Sequence, residues 1–261
     1  MDAGEPTRQT IALMYHALGD AALPGADPHY TVAMAAFSQQ RALCGSLGGG
    51  VVNARQWLDG RAGVILTFDD GHESNYHLGF PDLVAAGASA DFFVNPAQVG
   101  TPGFATWPQL REMADGGMSI QSHGLDHRYF FTEISRDQLR DDLRRSRLEI
   151  EEHVGHPVTL LAPPGGRSPA GLLRIAEEQG YTHVMTSRPG PIRRGADRGR
   201  PLCRFAVTSA MDLGTLESWL RGGHALLRAQ VRYTVLALAK RMLGDSTYQY
   251  LRRRLLGTAA S

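Results

Sequence analysis

The feature that most limits how this chain can fold is an alternation. Short apolar runs of strand length are separated by stretches in which apolar residues recur every three or four positions. The strand-like runs cover residues 10–15, 63–68, 90–95, 119–122, 159–162, 182–187 and 202–207, and the helical patterns cover 37–47, 74–86, 107–116, 136–153 and 169–179. Such alternation builds βαβ units and therefore a mostly parallel sheet. Seven runs in 261 residues favour closure over an open sheet, so the expected fold is α/β, a distorted (β/α) barrel of about seven parallel strands. Ser135 is placed to cap the helix that starts at 136, and Gly180 to end the one at 169–179.

Charge excludes some function classes. The chain has 27 Lys and Arg against 26 Asp and Glu, so no whole-molecule field points to nucleic acid or to an acidic polymer. Two cysteines, Cys44 and Cys203, are too few for a disulfide scaffold and read as reduced, buried residues. No basic segment followed by an apolar run opens the sequence, and no apolar run approaches the roughly 20 residues a spanning helix needs. The expected location is cytoplasmic. Residues 8–214 read as one α/β domain and 215–261 as a helical extension with eight Lys or Arg against two acids. That extension is either a hairpin packed on the body with a solvated basic face, or an interfacial segment that touches the inner membrane's anionic lipid or an anionic polymer.

The unusual polar residues fall just after the strand-like runs. VILTFDDG delivers Asp69 and Asp70, HGLDH delivers His123 and His127, the run ending at Tyr15 is followed by His16, and Ala162 is followed by Pro163, Pro164, Gly165 and Gly166. Parallel α/β folds gather their chemistry at the carboxyl ends of strands. Each feature alone has a plain explanation: Asp-Asp-Gly is a turn, and two histidines four apart suit a solvent-facing helical turn. Together, two imidazoles and a carboxylate form a facial ligand set for a divalent cation with positions left open, and a second carboxylate beside it can act as a base.

TFDDG, then SHGLDH, then LAPPGG, in that order, resemble the successive motifs of the polysaccharide deacetylase family, carbohydrate esterase family four, with similarity running from about residue 11 to 205. The opening LMYH is similar to the branch that holds the biofilm poly-N-acetylglucosamine deacetylases, in which a histidine near the N-terminus replaces a late catalytic one. The resemblance implies Asp70, His123 and His127 as ligands of one divalent metal, zinc by default with cobalt, nickel, manganese or iron as alternatives. It implies Asp69 as general base, His16 as general acid and the Gly165 N–H as oxyanion donor, in hydrolysis of N-acetyl groups on an N-acetylated glycan.

Two departures from the family pattern bear on that expectation. The third motif begins with Ala162 where many members have the arginine that orients the base, which leaves Arg167 or Arg128 as stand-ins. Gly165 stands where an aromatic residue is expected. Sugar-contact candidates are Tyr30, Trp107, Arg128, Tyr129, Phe130 and Arg167, and for Trp107 core packing is the simpler role. His224 is the other candidate acid. A carbohydrate-binding pseudoenzyme of the same fold is the alternative function.

Overall fold

The computed structural model describes residues 9–19, 23–127, 134–166, 168–195, 200–224, 226–231 and 233–234. Among the described residues twelve strands appear: β1 Gln9–Thr10, β2 Ala12–Tyr15, β3 Ala17–Leu18, β4 Thr31–Val32, β5 Val51–Val52, β6 Val64–Phe68, β7 Asp91–Val94, β8 Ser119–Ser122, β9 Leu160–Leu161, β10 His183–Val184, β11 Ile192–Arg193 and β12 Phe205–Ala206. Helices accompany them, among the described residues α1 Met34–Gly48, α2 Ala54–Leu58, α3 Phe80–Ala85, α4 Trp107–Asp115, α5 Arg136–Val154, α6 Leu172–Glu178 and α7 Leu213–Leu220.

The main sheet runs β10-β9-β8-β7-β6-β2-β12, with β5 also on β6, and every pair in it is parallel. A parallel bridge between Met185 and Leu202 brings the chain after β10 alongside the run that leads into β12, so the two ends of the sheet approach each other. The seven expected runs are the seven strands of this path. Period-two alternation then sorts the strand side chains into two cores. Ala12, Ile65, Phe93, Leu160, Ala162 and Met185 meet in one cluster inside the curved sheet. Leu13, Tyr15, Leu66, Phe68, Phe92 and Leu161 lie in the larger cluster under the helices.

Local signals explain the element ends. Ser135 accepts from the Gln138 N–H at 3.2 Å and completes a capping box for α5. Residues 74–86 differ from the single helix expected there. Asn75–Gly79 forms a π-helical turn before α3, and Pro81, which has no N–H to donate, sits at the junction. Strand β5 and helix α2 are too short to announce themselves by periodicity. Trp57 of α2 nevertheless packs into the inner cluster, and the Ala54 N–H donates to Asp91 at 2.7 Å.

At the C-terminal end, α7 does not belong to a separate extension. Leu216 and Trp219 are buried, and the Trp219 ring lies 4.7 Å from that of Phe205. The expected boundary at 214/215 therefore cuts through a helix of the body. Residues 235–261 lie outside the described residues. Among the described residues no helix is long and apolar enough to cross a membrane. Cys44 and Cys203 are not joined in a disulfide; Cys44 is buried as expected, whereas Cys203 is only half-buried.

Candidate active site

Strands β2, β6, β8 and β9, with β7 between β6 and β8, run parallel in one sheet, and their carboxyl ends carry His16, Asp69 and Asp70, His123, and the Pro163-Pro164-Gly165 turn. Asp70 adopts a left-handed backbone with φ 74°, rare for a residue with a Cβ. Gly71 follows at φ 73°, and a Cβ there would sit 3.0 Å from Val94 Cγ1. The tight turn thus needs a glycine second, and it stores strain at the aspartate.

Asp70 Oδ1 faces two imidazoles at once. It lies 3.3 Å from His123 Nε2 and 3.2 Å from His127 Nε2. The three ligand atoms lie within 4.8 Å of one another. Asp70 Oδ1 is buried and has no hydrogen bond of good geometry, which is what a carboxylate oxygen looks like when its partner is a cation between it and two nitrogens. His123 is fixed for that role: its Nδ1 is 2.7 Å from the Ala162 carbonyl, which leaves Nε2 for the ligand. Burial opposes ionisation of Asp70, but the close approach of the His123 and His127 imidazoles, with the charges of His16 and His123, outweighs it and holds the carboxyl well below the usual range. Burial also disfavours a charged His123, and Asp69 and Asp70 more than compensate, raising its pKa. A pocket that draws a proton onto an imidazole in this way has the field to draw a dication instead. These residues fit a divalent cation.

Asp69 has a different partner. Arg204, only 1% exposed, forms a bidentate pair with it: Nη1 donates to Oδ1 at 2.6 Å and Nη2 to Oδ2 at 2.8 Å. Nη1 also donates to Thr67 Oγ1 at 3.0 Å, Nε to the Thr186 carbonyl at 3.3 Å, and the guanidinium lies 5.2 Å from the Phe93 ring centroid. Burial pushes the Asp69 pKa up, but the charges of Arg204 and His123 prevail and hold it below an ordinary carboxyl. A carboxylate has about four acceptor positions, so two bonds to Arg204 leave Asp69 able to accept a proton. Arg204 thus stands where the sequence pointed to Arg167 or Arg128, both of which lie outside the described residues. The signal for it was present, as a lone charge in the apolar run at 202–207.

His16 follows β2. Its ring stacks on Tyr30 at 4.6 Å, its carbonyl accepts from Asn75 Nδ2 at 2.7 Å, and its Nδ1 is buried without a partner. Burial lowers its pKa, while Asp70 and Asp69 pull the other way. Gly165 is exposed at φ 62° in the turn after β9. Trp107 stacks on His153 at 4.4 Å in the seam between α4 and α5, a packing position. Tyr129 and Phe130 lie outside the described residues, and His224 is exposed beyond α7.

Residues 59–184, which hold Asp69, Asp70, His123 and His127, match the family model described as polysaccharide deacetylase. YxkH of Bacillus subtilis is 31% identical over 150 residues, 57% of this chain and 53% of that protein. A Bacillus cereus protein named peptidoglycan-N-acetylglucosamine deacetylase is 30% identical over 125 residues, 48% of this chain and 56% of that protein. The chain thus spans about half the length of the curated relatives it matches. The fold is similar to that of the Streptococcus pyogenes deacetylase PplD, with TM-score 0.72 and 23% identity, covering 83% of this chain and 98% of that one. Order of motifs and matched residues lead to one conclusion: residues 59–184 of this chain are similar to the polysaccharide deacetylase family.

Proposed function

We propose that the chain is a divalent-cation-dependent hydrolase that removes N-acetyl groups from an N-acetylhexosamine-containing glycan. The observation that carries the proposal is the pairing of two carboxylates with opposite partners: Asp70 faces His123 and His127, while its neighbour Asp69 is clamped by Arg204. A cation held by Asp70, His123 and His127 supplies Lewis acidity for the acyl carbonyl and lowers the pKa of a coordinated water.

The chain's own residues do the rest. Asp69, kept ionised and aimed by Arg204, takes the proton of the attacking water. The Gly165 N–H stands at the same rim to receive the negative charge that develops on the acyl oxygen. His16, steadied by Tyr30 and Asn75, hands a proton to the departing sugar nitrogen. The Asp69 and Asp70 carboxylates beside His16 favour its protonated form, against the lowering that burial imposes, so that a proton is held there for the departing nitrogen. The products are acetate and a free amine. Tyr30, the only described aromatic candidate that stacks on a reacting residue, is the sugar contact that the geometry supports.

The relative named for peptidoglycan N-acetylglucosamine supports an N-acetylated glycan as the substrate class. The test is acetate release from β-1,4 and β-1,6 N-acetylglucosamine oligomers by chelated protein, before and after zinc, cobalt, nickel or manganese is restored. Release that returns with the cation supports the reading. A chelated protein as active as the reconstituted one contradicts it, and cation uptake without release from any acetylated saccharide moves the reading to a glycan-binding protein without turnover.

A further inference from the structure

The five residues from His123 to His127 carry two of the three proposed ligands yet form no regular secondary structure. Precise ligand placement on such a loop needs its backbone to be held from outside. Two buried polar side chains that have no part in the chemistry do this from opposite sides.

Asn95, fully buried at the end of β7, donates from Nδ2 to the carbonyls of His123 at 2.6 Å and Gly124 at 3.2 Å. Asp142, 2% exposed on α5, accepts from the Leu125 N–H at 3.2 Å and from the backbone N–H of Asp126. One side chain thus takes the loop's carbonyls and the other takes its amides. Between them the Ala97 N–H donates to the Leu125 carbonyl at 3.2 Å, and the Gly124 N–H donates to Ser122 Oγ at 3.1 Å. A helix and a strand on either side of the loop therefore meet through it.

We infer that Asn95 and Asp142 are positioning residues that set cation affinity by clamping the His123–His127 loop in its ligating shape. The inference rests on the cation site proposed above. Its scale follows from what outer-shell partners of metal ligands contribute elsewhere, about 10- to 100-fold in affinity. Charge at Asp142 is not what the clamp uses, because one oxygen facing the amides suffices. Asp142→Asn keeps that oxygen and Asp142→Ala removes it. Asn95→Asp keeps the shape but turns a donor toward two carbonyls into an acceptor.

The experiment is zinc affinity of the full chain, measured by chelator competition, with the melting temperature of the cation-free protein recorded for each variant. Ile150→Ala, two turns further along α5 at a fully buried core position, serves as a control that loosens packing without touching the loop. The expected result is a loss of about 10- to 100-fold for Asp142→Ala and Asn95→Asp, with Asp142→Asn within about threefold of wild type and Ile150→Ala unchanged in affinity despite its lower melting temperature. Wild-type affinity in Asp142→Ala and Asn95→Asp overturns the clamp alone. So does an affinity loss in Ile150→Ala that matches theirs. A wild-type chain that binds no divalent cation overturns the site reading and the clamp with it.

Discussion

At the scale of single residues, the account turns on Arg204. Burying an Asp69–Arg204 pair takes two ions out of water, a cost offset only when nearly every donor and acceptor is satisfied, as the contacts to Thr67 and Thr186 achieve here. Removing the cation from that pair strands a buried carboxylate. Arg204→Met should therefore destabilise the fold by about 3–5 kcal/mol in urea titrations, and Arg204→Lys should recover only part, because one ammonium cannot span both oxygens. A loss below 1 kcal/mol, on the scale of roughly 0–1 kcal/mol expected for an exposed ion pair, would show that the pair is not the buried anchor described. His16→Ala belongs to the same scale. It should lower kcat by about 10²- to 10⁴-fold as the loss of a general acid, with bound cation unchanged. Equal kcat in that variant would remove His16 from the proton path.

Elements were more legible in the sequence than the partnerships between them. Strand positions and the residues just after them could be read from periodicity, which placed His16, Asp69, Asp70 and His123 on one rim. Arg204 could not be placed that way, since nothing local says that a strand at 202–207 lies two places from β6 in the sheet, with β2 between them. Trp107 shows the same limit: an aromatic at a helix start reads alike whether it faces a groove or, as here, a histidine on the next helix. Asp142 shows it again, as a charge on a highly charged helix whose burial only the fold reveals. Burial raises its pKa to about 7, against the backbone bonds from Leu125 and Asp126. With the folded value above the unfolded one of 3.8, its contribution to stability is full below the unfolded value and is lost as pH rises to about 7. In cation-free protein, Asp142→Asn should abolish this slope, so the variant gains on wild type between those limits. Parallel stability curves for the two proteins would contradict the assignment.

At the scale of the whole molecule, the sheet, the helices around it and α7 form one body, with the chemistry at one end of the strands. A chain that stops at residue 214 loses Leu216 and Trp219 from the core and should show no cooperative unfolding. Trp219→Ala alone should cost about 3–5 kcal/mol, as for other large core truncations. A stable 1–214 fragment would restore a boundary there. The central claim is that two adjacent carboxylates at this rim divide the work, one holding a cation and one moving a proton. It is tested most directly by measuring acetate release and bound cation together, in wild type and Asp69→Asn reconstituted side by side. The account predicts that Asp69→Asn keeps its cation and loses release by about 10²-fold or more. Unchanged release with the cation in place would contradict it.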